Sequence, residues 1–159
     1  MKKIILSLFI AVVGFSTNAQ IKTPQPSTAQ KIEQAVGLTN ITLEYSRPNM
    51  NGRTIFGDLV PYGSVWRTGA NANTKITFST DVTVDGKSLK KGTYAIFTKP
   101  NEKSWDVIFY SDATNWGAPR TWDESKVALK TTVKPETLSK SVETFTIELA
   151  NISNDGASL

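Results

Sequence analysis

Three of the chain's four arginines, Arg47, Arg53 and Arg67, fall within residues 45–74, a stretch with no lysine and a single acid, Asp58. A guanidinium is a planar fork of donors that meets a carboxylate, sulfate or phosphate two bonds at a time, which an ammonium cannot do. Three forks against one carboxylate leave excess positive charge. Asn71, Asn73 and the glycines of the stretch add neutral donors, and Trp66 adds a flat wall. Arg47, Arg53, Trp66, Arg67, Asn71 and Asn73 therefore read as a pocket for an anionic or carbohydrate ligand. The same residues support a second reading. There the arginines bond backbone carbonyls, Asp58 pairs with Arg53, and Ile55, Phe56, Leu59, Val60 and Val65 plug one end of the domain. The sequence leaves both standing.

Other chemistries are restricted by what the chain lacks. It has no histidine and no cysteine, which removes Ser-His-Asp and Cys-His catalysis and the usual zinc sites. Asp81, Asp85, Asp106, Asp112, Asp123 and Glu124 are the carboxylates from which a glycosidase pair could be drawn, although Asp85 already serves a turn. Tyr45 or Tyr62 acting as a base beside Arg67 would give a uronate lyase. A second irregular segment, 111–125, carries Trp116, Trp122 and the fourth arginine, Arg120. Its tryptophans either stack on sugar rings or pack beneath their own loop. No oxygen-rich calcium loop is present, so neither a metal nor a cofactor is expected. The leading expectation is a non-catalytic binding module. An enzyme acting on acidic polysaccharide and a structural cell-envelope protein are the alternatives.

The first residues bear on compartment. Lys2 and Lys3 precede an apolar run over 4–15, and Thr17-Asn18-Ala19 supplies small residues for cleavage, the pattern of a signal peptide over 1–19. The run is too short to span a membrane comfortably. An exported protein, periplasmic or extracellular, is expected, with no transmembrane segment in the mature chain. The 159 residues carry 18 basic against 14 acidic side chains. Cleavage removes two lysines and leaves a charge of about +2, too weak to indicate nucleic acid as a partner. The composition does not fix an oligomeric state.

These residues must be held by strands. After a lead-in over 20–28, residues 29–36 read as a weak strand, and Ile41, Leu43 and Tyr45 alternate with Thr42 and Glu44. Pro48 ends that strand and opens the long irregular segment. Alternation returns at Ile76 and Phe78, then at Val82 and Val84, where Asp85-Gly86 signals a hairpin. Strands follow over 93–98 and 105–110, then at Val127 to Val133, and finally over 142–149. The expectation is an all-β fold, with one antiparallel β-sandwich or jelly-roll-like domain over 29–159.

Tyr45-Ser46-Arg47-Pro48, Gly52-Arg53, Ile55-Phe56-Gly57 and Leu59-Val60-Pro61-Tyr62-Gly63 form a distinctive series. Trp66-Arg67-Thr68-Gly69-Ala70-Asn71, Asp81-Val82, Gly92-Thr93-Tyr94 and Trp116-Gly117 extend it. With these residues the chain resembles the DUF2911 family, secreted bacterial proteins common in Bacteroidetes. The resemblance implies a compartment and a domain, and it brings no activity or catalytic residues. It also implies one further strand. Asp155-Gly156 is a hairpin signal with three residues after it, so either the sequence is a fragment of a longer chain or strand 142–149 is left partly unpaired. Such a form should be less stable than one extended by a strand, and prone to self-associate.

Overall fold

Strand alternation decides the architecture. The computed structural model describes residues 23–159, so the leader over 1–19 and the start of the lead-in lie outside the described residues. Eight strands follow in order: β1 Thr28–Val36, β2 Thr39–Arg47, β3 Thr74–Phe78, β4 Val82–Val84, β5 Lys87–Leu89, β6 Gly92–Pro100, β7 Trp105–Tyr110 and β8 Val127–Val133. Six form one antiparallel sheet in the order β1-β2-β3-β6-β7-β8, and β4 pairs with β5 in a second, two-stranded sheet. The fold is all-β, as expected.

One face of the main sheet carries Ile41, Leu43 and Tyr45 from β2, Ile76 and Phe78 from β3, and Tyr94, Ile96, Phe109 and Leu129 beyond. The β4-β5 hairpin closes over it through Val82, Val84 and Leu89. Asp85 and Gly86 at the hairpin tip both have positive φ, 48° and 75°, the conformation that suits strand twist in a two-residue turn. Lys87 Nζ donates to the Lys130 carbonyl at 2.7 Å, and the Asp85 carboxylate accepts from the Thr131 hydroxyl, so the hairpin is tied to β8. The opposite face of β6 and β7 presents Ala95, Phe97, Ile108 and Tyr110, covered by Ala113, Trp122 and Val127. Two covered faces explain why β6 and β7 are apolar on both sides.

The expected strand over 142–149 is absent. Only Thr144 forms a bridge, with Asn49. The alternation is nevertheless sound, since Phe145, Ile147 and Leu149 pack against the sheet's core face beside the hairpin. The segment packs on that face, and beyond the single Asn49–Thr144 rung its backbone finds no ladder. Phe145 N–H donates to the Pro48 carbonyl (2.9 Å), Met50 N–H donates to the Glu143 carbonyl (2.8 Å), and the Tyr45 hydroxyl binds Ile147. Farther on, Ser153 and Gly156 close the Asp-Gly turn, and Ala150 and Ser158 exchange two backbone bonds. That turn sits on the β1–β2 corner, where Gly37 adjoins the Asn154 carbonyl.

Candidate functional site

The long segment between β2 and β3 is irregular because it turns repeatedly within a short span. Pro48 stops β2. Asn51 and Gly52, at φ 50° and 70°, then make a tight turn that Arg53 N–H closes on the Met50 carbonyl at 3.1 Å. Residues 54–60 curl back through bonds from Val60 N–H to the Ile55 carbonyl (2.8 Å) and from Gly57 N–H to the Val60 carbonyl (2.9 Å). These bonds close a loop with no helical period. The chain next reaches β6, where Trp66 and Thr98 exchange bonds of 2.7 and 2.9 Å. Trp66 thereby extends the lane of β3 beyond its last rung at Thr74–Ile96.

Residues 67–73 bulge out between these two anchors. Thr68 is buried at φ 56°, a conformation that β-branched residues rarely adopt. It is held by the Thr74 hydroxyl, which donates to its carbonyl at 2.6 Å, and by its own hydroxyl bonding Thr98 Oγ1 at 3.1 Å. Gly69 follows where a side chain has no room. A Cβ there would lie 3.0 Å from the Ser46 carbonyl oxygen and 3.1 Å from Thr74 Oγ1.

The folded loop encloses a cavity of about 980 Å³. Arg53, Trp66 and Arg67 line it, with Met50, Ile55, Phe56, Leu59 and Val60 from the loop and Val142, Glu143 and Phe145 from the 142–149 segment. An aromatic chain forms one side. Phe56 and Trp66 meet edge to face at 5.9 Å between centroids, and Trp66 and Phe145 at 5.2 Å. Phe56 also contacts Trp105, which is half-buried, at 4.5 Å.

The three arginines have different roles. Arg47 donates from Nε to the Phe145 carbonyl (3.0 Å) and from Nη2 to Thr146 Oγ1 (2.7 Å), so it fastens the 142–149 segment and does not line the cavity. Arg53 donates to the carbonyls of Met50 (2.8 Å) and Asn49 (2.7 Å), fastening its own turn while lining the cavity. Among the described residues neither it nor any other arginine is ion-paired, so the Asp58 pairing is not formed. Arg67 is half-buried in the cavity wall, and its Nε is buried with no hydrogen-bond partner. Its guanidinium lies against Gly117, where an added Cβ would sit 3.4 Å from Nη1.

The amides are placed elsewhere. Asn71, at φ 57°, donates to the Ser27 carbonyl at 3.2 Å and holds the lead-in beside the loop. Asn73 is 3% exposed with neither amide atom partnered, and it is not part of the cavity lining. Arg53, Trp66 and Arg67 are thus brought together around one space, while Arg47, Asn71 and Asn73 lie outside its lining.

The acid-base candidates are committed to local structure. Asp81 pairs with Lys90, and Asp112 pairs with Lys126 at 2.7 Å; each partner holds its carboxyl below the usual range. Asp123 caps the turn Glu124–Lys126 and is lowered by the Ser125 hydroxyl and N–H. Asp106 accepts from Thr132, Asp85 from Thr131, and Glu124 from the Trp122 indole. Tyr45 is bonded to Ile147, and Tyr62 lies outside the cavity lining. The two loop tryptophans differ: Trp122 packs between Phe97 and Tyr110, whereas Trp116 is 75% exposed.

Glu143 and Phe145 are the site residues that sequence reasoning missed. They stand about ninety positions from the loop they complete, and their alternation reads as an ordinary strand. The one available signal was the pair Tyr45 and Arg47, polar groups on a strand end with no partner nearby in sequence. The family model described as a protein of unknown function (DUF2911) matches residues 27–159. No curated protein and no solved structure shows a significant match to the chain.

Proposed function

We propose that this chain, which belongs to the DUF2911 family, is a non-catalytic binding module that takes an anionic or carbohydrate small molecule into the cavity beside Arg53, Trp66 and Arg67. The observation that carries the reading is Arg67 Nε, buried in the cavity wall with no partner. A buried donor left unsatisfied costs about 1–3 kcal/mol, and more on a charged group. Nε itself has no accessible surface, so a carboxylate or similar acceptor in the cavity meets the guanidinium two bonds at a time, and removes that cost, once the Arg67 side chain turns Nε–H towards it. Trp66 and Phe145 offer flat apolar area beside it. The leader pattern over 1–19 supports export, with the module working in the periplasm or outside the cell.

Thermal shift with a panel of anions, uronic acids and neutral glycans tests the binding reading. A ligand at a hundred times its Kd should stabilise the fold by about 2.7 kcal/mol. Incubated with a uronate glycan, the protein should release no unsaturated uronate, because Tyr45 is bonded to Ile147 and Tyr62 lies outside the cavity lining. A panel without any stabilising compound would contradict binding, and turnover of a uronate glycan would favour the enzyme.

A further inference from the structure

We propose that the ligand is an amphiphilic acid with one negative charge, an aliphatic or aromatic body bearing a single carboxylate, and not a saccharide. This rests on the binding reading above and narrows it.

Charge comes first. The charged residues lining the cavity are Arg53, Arg67 and Glu143, two cations against one anion. Glu143 is held in place by accepting from Asn51 N–H at 2.7 Å. The lining therefore carries a net charge of +1, which one carboxylate neutralises. A polyanion would bring surplus charge into a partly enclosed space.

Hydrogen-bonding capacity comes second. A saccharide needs partners for several hydroxyls at once, since each one buried without a partner is costly. Several of the lining's backbone polar atoms, and one side-chain acceptor, are occupied from within the protein. Asn49 Oδ1 accepts from Thr144, and the Asn49 and Met50 carbonyls accept from Arg53. Asn51 N–H is given to Glu143, and the Ser27 carbonyl accepts from Asn71. Arg67 Nε is a donor still waiting.

Apolar surface comes third. Met50, Ile55, Leu59, Val60, Val142 and Phe145 share the wall, and Leu59 stands 54% exposed. Apolar area of this kind gains from covering by a hydrocarbon in proportion to the area buried. A net charge of +1 in the lining beside these apolar walls matches a body with a single charged end.

Isothermal titration of the purified protein with decanoate, decanol and trigalacturonate, all below any micelle concentration, tests this. Decanoate should bind saturably, decanol at least tenfold more weakly, and trigalacturonate not at all. Arg67→Met should weaken decanoate about tenfold and leave decanol unchanged. Leu59→Asp, at an exposed position that the fold tolerates, should weaken both, and it keeps the proposal testable if Arg67→Met does not fold. Trigalacturonate binding more tightly than decanoate would overturn the amphiphile and leave the binding module standing. Decanol binding as tightly as decanoate would overturn the charged end. Binding by none of the three would overturn the amphiphile, and the thermal-shift panel would then decide the binding reading separately.

Discussion

The hydroxyl of Tyr45 accepts from Ile147 N–H at 3.0 Å and shares its one proton between Gln30 Oε1 at 2.9 Å and the Ile147 carbonyl at 3.1 Å. One side chain on β2 thus does for the 142–149 segment what a neighbouring strand would otherwise do. Tyr45→Phe keeps the ring against Phe145 and removes only the hydroxyl. It leaves a half-buried donor and acceptor unpaired, so stability should fall by about 1–3 kcal/mol. Urea denaturation measures this, and an unchanged midpoint would show that the segment is held by packing alone.

Arg47 acts on the same segment through a fork, with Nε on the Phe145 carbonyl and Nη2 on Thr146. Lysine cannot reproduce two fixed donors. Arg47→Lys is expected to cost about 1 kcal/mol and to speed amide exchange at Phe145 and Ile147. Exchange at the β6 amides should not change. Equal acceleration throughout the sheet would mean that Arg47 supports the whole fold and not this strap.

Gly37 is fixed by two constraints. Its φ is 56°, and a Cβ would run into the Asn154 carbonyl oxygen. Gly37→Ala must either strain the β1–β2 corner or lift the 153–156 turn away. The expected loss is about 1–3 kcal/mol, with amide shift changes concentrated at Ser153 to Gly156 as well as at the corner. Changes confined to the corner would contradict the contact.

The pH dependence follows from exposed pairs. Lys126, together with the Thr114 hydroxyl and N–H, holds the Asp112 carboxyl well below its ordinary value; Lys90 does the same to Asp81, and Ser125 to Asp123. A depressed carboxyl contributes stability above its unfolded pKa of about 3.9, and that contribution is lost as pH falls through the folded value. Lys126 and Lys90 are raised by the same pairs, and Tyr94 is raised chiefly by burial. Their contributions are complete below the unfolded values and disappear as pH rises through the folded ones. Denaturation midpoints should therefore drop below pH about 4, and Asp112→Asn should flatten that acid limb. An acid limb equally steep in Asp112→Asn would remove the pair from the account.

Much of this fold was legible because burial obeys strand alternation. Ile41, Leu43 and Tyr45, Ile76 and Phe78, and the Asp85-Gly86 hairpin stand where their periodicity puts them. The 142–149 segment shows the limit of that signal. Alternation reports which side chains face a core, and says nothing about whether the backbone finds a ladder. The site was legible in part for a similar reason. Composition singled out the arginines, yet only tertiary contacts separate Arg47 and Arg53, spent on carbonyls, from Arg67, whose Nε has no partner. Glu143 and Phe145 enter from far along the chain, and no local pattern announces them.

The central claim is that Arg67 waits for an anionic ligand, and its Nε–H can be watched directly. The chain has four arginines, so the Nε–H region of a nitrogen-15 correlation spectrum is simple to assign by substitution. On titration with decanoate, the Arg67 Nε–H resonance should move saturably, while that of Arg47 stays in place. Saturable decanoate binding with an unmoved Arg67 Nε–H, or a resonance indifferent to every anion in the panel, would contradict the account.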